Sequence, residues 1–170
     1  MKLSYRKARS FILLIAGLLA IGLSHTMDGY AVVFGISLLV SSALTLLYIF
    51  LHFDENINPK VVMEMIADGF SGLVLFTYPE SNENFLLIVF SFWILIMGMF
   101  YLTSGLMDES NKDYLWSYVL VGIMLMVLGF VVLNYDTAYK SSVLYVVGFT
   151  LLIYSGTNLS LLFRRKRGIY

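Results

Sequence analysis

The sequence predicts an all-α membrane protein: six transmembrane helices, arranged as three repeated helical hairpins in a single integral membrane domain over residues 1–170. The composition is 59% hydrophobic and 13% charged, which is too apolar for an ordinary soluble domain of this length. The chain also contains apolar runs near the ~20 residues needed to cross ~30 Å of hydrocarbon. Finally, ten of the eleven Lys and Arg residues fall on one side of the implied membrane.

Six apolar runs divide the chain, at approximately residues 10–27, 29–52, 61–78, 84–107, 115–134 and 142–163. Lipid cannot pair backbone amides, and these runs lack the polar alternation of a membrane barrel strand, so helices are expected. Paired in order, they give hairpins over approximately residues 8–52, 60–107 and 114–163. The first run also fits a signal peptide, but its pairing with the second run in the repeat favours a retained helix.

The basic residues predict the orientation. Lys2, Arg6, Lys7 and Arg9 precede the first run, residues 164–167 follow the last, and Lys60 and Lys112 lie in loops on the same side. The opposite loops hold Lys140 together with acidic residues. The positive-inside rule therefore predicts cytoplasmic N- and C-termini in a bacterial inner membrane.

The even-numbered runs share a short pattern that indicates an internal repeat. Residues 35–43, 97–105 and 148–156 read GISLLVSSA, MGMFYLTSG and GFTLLIYSG, and each ends in Ser followed by Gly or Ala. Small residues allow helix backbones to approach closely in a membrane, and Ser can hydrogen-bond across the contact. The predicted packing positions are therefore Gly35, Ala43, Gly105, Gly148 and Gly156. The alternative is that the Ser residues line a shared cavity near the cytoplasmic side.

Short hairpins with Gly on the odd helix and Gly-x-x-Leu-Leu-x-x-Ser-Gly on the even helix resemble the HdeD-like family of bacterial acid-resistance membrane proteins. Residues 148–156 match best, and residues 35–43 match next. Family members usually place a Pro at the external end of each odd helix, and here Pro79 alone does so, because the regions around Asp28 and Asp136 lack it. The resemblance implies a six-helix inner-membrane protein linked to acid or stress tolerance, and it brings no catalytic residues with it.

Acidic residues in the third run are the exception to the apolar pattern. Lys60, Glu64 and Asp68 recur every four residues and so lie on one helical face. With ~1.5 Å rise per residue, Glu64 would lie about 5 Å and Asp68 about 10 Å inside the helix. A carboxylate at the centre of a membrane helix costs at least ~2.5 kcal/mol. Three interpretations remain open for Asp68: an interfacial residue, a proton or cation site, and a buried structural contact.

Other polar residues are expected near the level of Asp68, and Ser155, Thr157 and Asn158 are expected as its hydrogen-bond partners. Ser155 and Asn158 lie on the sixth run, Ser104 on the fourth and Ser42 on the second, so together they would form a polar layer in the cytoplasmic half. With Glu64 and Asp68, these four residues form the candidate proton, ion or polar-network site.

The sequence contains no recognisable enzyme motif, no cofactor signature and no metal-ligand cluster, and it has no Cys. Nucleic-acid binding is not expected, because the net charge is zero and the basic residues flank membrane ends. The expected partners are the lipid bilayer and either a second copy of the chain or another membrane protein. The leading expectation is a non-enzymatic protein for acid or envelope stress tolerance; the alternative is a small transporter or channel subunit with Asp68 as the coupling residue.

Overall fold

The computed structural model describes residues 2–22, 29–53, 57, 59–78, 83–107, 115–135 and 140–167. Within these ranges the chain is helical, which confirms the all-α prediction. The helices, in chain order, are α1 (Lys2–Gly22), α2 (Tyr30–Leu51), α3 (Pro59–Thr77), α4 (Glu83–Met107), α5 (Leu115–Leu133) and α6 (Lys140–Arg167). Gly29 precedes α2 with a φ of 85°, a left-handed conformation that Gly adopts without steric cost. The predicted turns at Asp28, Pro79 and Asp136, and the loop residue Lys112, lie outside the described residues.

Within the described ranges, four helices are long and apolar enough to cross a membrane, namely α2, α4, α5 and α6. Helices α1 and α3 are long enough but too charged to belong to this set. Any 18-residue window of α3 contains Lys60, Glu64 and Asp68, and any such window of α1 contains several basic residues. Many large apolar side chains lie on the outside, including Phe50, Phe70 and Trp116 at 70%, 70% and 75% exposure. An apolar outer surface of this extent is characteristic of a protein in contact with lipid. The protein is therefore helical and suited to a membrane.

The closest helix packing lies between helices of different predicted hairpins rather than between the two helices of one hairpin. Helix α2 packs most closely on α3, α4 on α5, and α6 on α1. The contacts of α1 with α2, α3 with α4 and α5 with α6 are less extensive. Because α6 returns to α1, the three close pairs form a closed arrangement in which the first and last helices are neighbours.

Each close pair is built on one glycine from each helix. A methyl group added at Gly72 would lie 2.9 Å from the carbonyl oxygen of Gly35, and one added at Gly148 would lie 2.9 Å from that of Gly17. A methyl group added at Gly122 would likewise lie 3.0 Å from the carbonyl oxygen of Gly98. These distances are shorter than normal contacts of a methyl group, so only glycine permits this backbone approach.

The predicted packing residues divide into two groups. Gly35 and Gly148 lie at these close approaches, and Gly105 packs against Tyr118, whose Cβ would be 2.9 Å from an added methyl group. Ala43 and Gly156 are instead exposed, and a methyl group at Gly156 would meet no atom of the described residues within 4 Å. The repeated Ser-small pattern therefore does not mark one common packing surface, because its final residue faces outward on α2 and α6.

We expect Gly72→Ala to destabilise the protein, because the added methyl group would meet the Gly35 carbonyl and the Leu39 amide, both at 2.9 Å. Overpacking of this kind costs about 1–3 kcal/mol. Gly156→Ala is the matched control, since it adds the same methyl group in open space. Unfolding in a detergent titration measures both variants. Equal stability of the two would show that the α2–α3 contact tolerates a side chain.

Candidate functional site

Asp68 lies at the centre of a buried polar network in the interior of the bundle. Its side chain is 0% exposed. Arg9 binds it in a bidentate manner, with Nε donating to Oδ2 at 2.7 Å and Nη2 donating to Oδ1 at 3.0 Å. Trp93 Nε1 donates a third hydrogen bond to Oδ1 at 2.8 Å. Three short hydrogen bonds, two of them from an arginine, make this a strongly held carboxylate.

Arg9 extends the network from Asp68 to α6 and α4. Its Nη1 donates to the Tyr154 hydroxyl at 2.9 Å. The Tyr154 hydroxyl in turn donates to the Met97 sulfur at 3.4 Å. The guanidinium carbon also lies 5.7 Å from the centroid of the Tyr154 ring. The network thus connects α1, α3, α4 and α6. Asp68 is therefore a buried structural contact rather than an interfacial residue.

Two columns of three side chains face each other across α3 and α4, and within each column the residues are four positions apart in the sequence. Asp68, Glu64 and Lys60 run down α3, while Trp93, Met97 and Tyr101 run down the antiparallel α4. Trp93 lies at the level of Asp68, and the Lys60 ammonium lies 4.9 Å from the centroid of Tyr101 at the other end. The polar face predicted for α3 therefore points inward and meets an aromatic face.

Glu64 lies between the buried Arg9–Asp68 pair and the end of the bundle. It is 8% exposed. Its Oε2 lies 3.5 Å from Arg9 Nη1, and its Oε1 lies 3.7 Å from Lys60 Nζ. These separations exceed those of the Arg9–Asp68 pair, so Glu64 is held by two cations at longer range.

A cavity of about 30 Å³ opens beside Glu64. A water molecule needs about 10–15 Å³ by this measure, so the cavity has room for about two. Arg6, Arg9, Lys60, Glu64, Tyr101 and Asn158 are among the residues that line it. Within the part of the chain that the structure describes, Asp68 is not among the lining residues.

The other predicted site residues have different surroundings. The partners of Asp68 are Arg9 and Trp93, not the predicted Ser155 and Asn158. Ser155 is buried and donates to the Leu151 carbonyl of its own helix at 2.7 Å, as expected for Ser within a helix.

Ser42 and Ser104 lie away from the ion pair. Ser42 donates across the α2–α3 contact to the Met65 carbonyl at 3.0 Å, so it acts in helix packing. Ser104 is buried at 9% exposure near the end of α4. The predicted polar layer is therefore divided between separate local contacts, and only Glu64 and Asn158 reach the cavity.

The sequence pattern groups Arg9 with the basic residues that mark orientation, and the structure gives it a further role as the partner of Asp68. Helix α1 begins at Lys2 rather than near residue 10, so Arg9 lies about two turns inside the helix and points into the bundle, where it is 5% exposed. Charge matching could have identified it, because an aspartate inside a membrane bundle needs a cationic partner. Among the described residues, no group of three or more His, Asp and Glu residues could hold a metal ion.

We expect Arg9 and Asp68 to be strongly coupled in stability. Arg9→Met or Asp68→Leu alone leaves a buried charge without its partner and should cost about 3–5 kcal/mol, whereas replacing both by apolar residues should cost much less. The free energies of unfolding of the two single variants and the double variant, measured in detergent, form a double-mutant cycle.

Ser155→Ala is the control for this cycle, because it removes a buried hydroxyl that bonds only within α6 and should cost about 1 kcal/mol or less. If the effects of Arg9→Met and Asp68→Leu simply add, the pair does not hold the bundle together.

Comparison with protein families finds a match, over residues 69–134, to a model described as a short repeat of unknown function (DUF308). The match runs from the residue after Asp68 in α3, through α4, to the residue after the end of α5. It covers less than half of the chain. Comparison with curated proteins found no match, and comparison with solved structures found none. Over α4, α5 and the C-terminal part of α3, the chain is therefore similar to this family of short repeats.

Proposed function

We propose that the protein is a non-enzymatic bacterial inner-membrane protein of the HdeD-like type, acting in tolerance of acid or envelope stress. The match to the short-repeat family supports this proposal, because HdeD-like membrane proteins belong to that family. The observation that carries the proposal is the state of Asp68, which is fully buried and bound by Arg9 and Trp93. A carboxylate held in this way stabilises a packed bundle and is poorly placed to exchange ions with solvent.

The proposal includes six membrane crossings, with both termini in the cytoplasm. Helices α1 and α3 are too charged to cross alone, but Arg9 of α1 and Asp68 of α3 neutralise each other inside the bundle. Intramembrane charges are tolerated when they face the interior and pair with one another. The apolar outer faces of the remaining helices would lie against the lipid bilayer, which is the principal partner in this proposal.

A small transporter or channel subunit is the second candidate, and the cavity beside Glu64 favours it. Asp68 does not line this cavity in the described residues, whereas Glu64 does. A coupling residue must be reached by its ion. In this alternative, Glu64 therefore replaces Asp68 as the residue that would bind a proton.

The six crossings can be tested by cysteine labelling, because the natural chain has no Cys. Asn56→Cys lies between α2 and α3, and Ser81→Cys lies between α3 and α4. If α3 crosses the membrane, a membrane-impermeant maleimide should label Ser81→Cys in intact cells and Asn56→Cys only after permeabilisation. Labelling of both positions from the same side would mean that α3 does not cross, and the proposed topology would be abandoned.

The proposed stress function predicts that cells lacking the protein survive acid exposure less well, and that survival follows the amount of folded protein. Complementation with Glu64→Gln should restore survival to near the wild-type level. Asp68→Leu should restore it poorly, in proportion to lower protein abundance measured in membranes.

Two outcomes would contradict this proposal. Unchanged survival of cells lacking the protein would exclude the stress role. A Glu64→Gln protein that is present at wild-type abundance but fails to restore survival would favour the transporter.

A further inference from the structure

The cavity at the end of the bundle is positively charged. Three of its lining residues are cations, Arg6 and Arg9 from α1 and Lys60 from α3, whereas Glu64 is its one lining carboxylate. Asp68 lies behind Arg9 and adds a second negative charge. The cluster therefore stays positive even when Asp68 is included, and a cation would be repelled from it.

The two carboxylates hold these cations unequally. Asp68 occupies Arg9 with hydrogen bonds at 2.7 and 3.0 Å. Glu64 lies 3.7 Å from the Lys60 ammonium. Arg6 donates its Nε to the neutral hydroxyl of Tyr5 at 3.0 Å. Arg6 therefore keeps donor capacity for an anion, since a guanidinium has five N–H donors.

Tyr101 supplies an independent indication of a ligand. Its side chain is 2% exposed and lines the cavity, yet its hydroxyl has no hydrogen-bond partner among the described residues. Buried hydroxyl groups are nearly always hydrogen-bonded. An acceptor atom bound in the cavity would pair with it.

In the topology proposed above, on which this step rests, the cavity lies at the level of the lipid headgroups, where phosphate groups are available. Lys60 is in the first turn of α3, Tyr118 is in the first turn of α5, and Asn158 is in the last third of α6. These positions are at the same end of the bundle, close to the expected lipid headgroups. Basic pockets between transmembrane helices at this level bind phosphate headgroups, and Arg is well suited to phosphate oxygens.

We propose that this cavity binds oxygen atoms of a phosphate group, held by Arg6 and by a hydrogen bond from the Tyr101 hydroxyl, with the positive charge of Lys60 beside them. Acceptor oxygens on one phosphate match donors that come from α1 and α4. The phosphate belongs either to an anionic lipid headgroup or to free inorganic phosphate, and these two sources share the same recognition chemistry.

The test uses the full-length protein in detergent, with two probes at constant ionic strength. Inorganic phosphate is titrated against chloride, and the shift in the thermal unfolding midpoint is recorded. Phosphatidylglycerol is added in a second series, with phosphatidylcholine for comparison, and retained lipid is counted by native mass spectrometry. The variants are Arg6→Gln and Tyr101→Phe. The control is Lys7→Gln, which removes a charge from the adjacent position of α1, outside the lining residues.

We expect at least one probe to bind, with affinity roughly tenfold or more weaker in Arg6→Gln, as loss of a hydrogen bond to a charged group predicts. Tyr101→Phe should also bind more weakly, while its unfolding midpoint without probe stays equal to or above that of the wild type. A response to inorganic phosphate identifies the free ion, and selective retention of phosphatidylglycerol identifies the lipid.

Three results would overturn the proposal. The first is that neither probe binds the wild-type protein. The second is that Arg6→Gln and Tyr101→Phe both bind as the wild type does. The third is that Lys7→Gln weakens binding as much as Arg6→Gln, because the effect would then reflect overall charge rather than this cavity.

Discussion

The pairing of Arg9 with Asp68 is the interaction on which the interior of this protein depends. Neither charge is stable alone in an apolar bundle, because burial of an unpaired ion costs several kcal/mol. The bidentate contact satisfies both charges, and Trp93 and Tyr154 complete their hydrogen bonding. The same pair joins α1 to α3, the helices on which the buried charged residues of the described chain lie, namely Arg9, Glu64 and Asp68. These helices can therefore be packed among apolar ones only when they are packed together.

Glycine contacts make this pairing geometrically possible. Gly17 and Gly148 bring the backbones of α1 and α6 together, which places the first and last helices side by side and positions Arg9 next to Tyr154. Equivalent contacts join α2 to α3 and α4 to α5. The close pairs leave a central space that large side chains fill, among them Trp93, which is 0% exposed. The polar network and the glycine contacts are thus complementary parts of one interior.

Much of the architecture could be predicted from the sequence, and the site only in part. Apolar runs of membrane length predicted six helices, since helix formation in an apolar chain is a local property. The four-residue spacing of Glu64 and Asp68 identified the unusual face of α3 for the same reason. The role of Arg9 was missed, because sequence position alone does not distinguish a basic residue that marks orientation from one that neutralises a buried acid. Asn158 is not a partner of Asp68, because it lies one turn beyond Tyr154 on α6 and lines the cavity beside Glu64 instead.

The sequence by itself determined the helical class, the separation of charges along the chain and the presence of one acidic face on α3, because these follow from composition and helical periodicity. Only the tertiary structure decided which helices are closest neighbours, that Asp68 binds Arg9 and Trp93, and that Arg6, Lys60 and Tyr101 meet at one cavity. These contacts join residues far apart in the chain. They depend on helix rotation and on backbone distances set by glycine pairs, which no local pattern encodes.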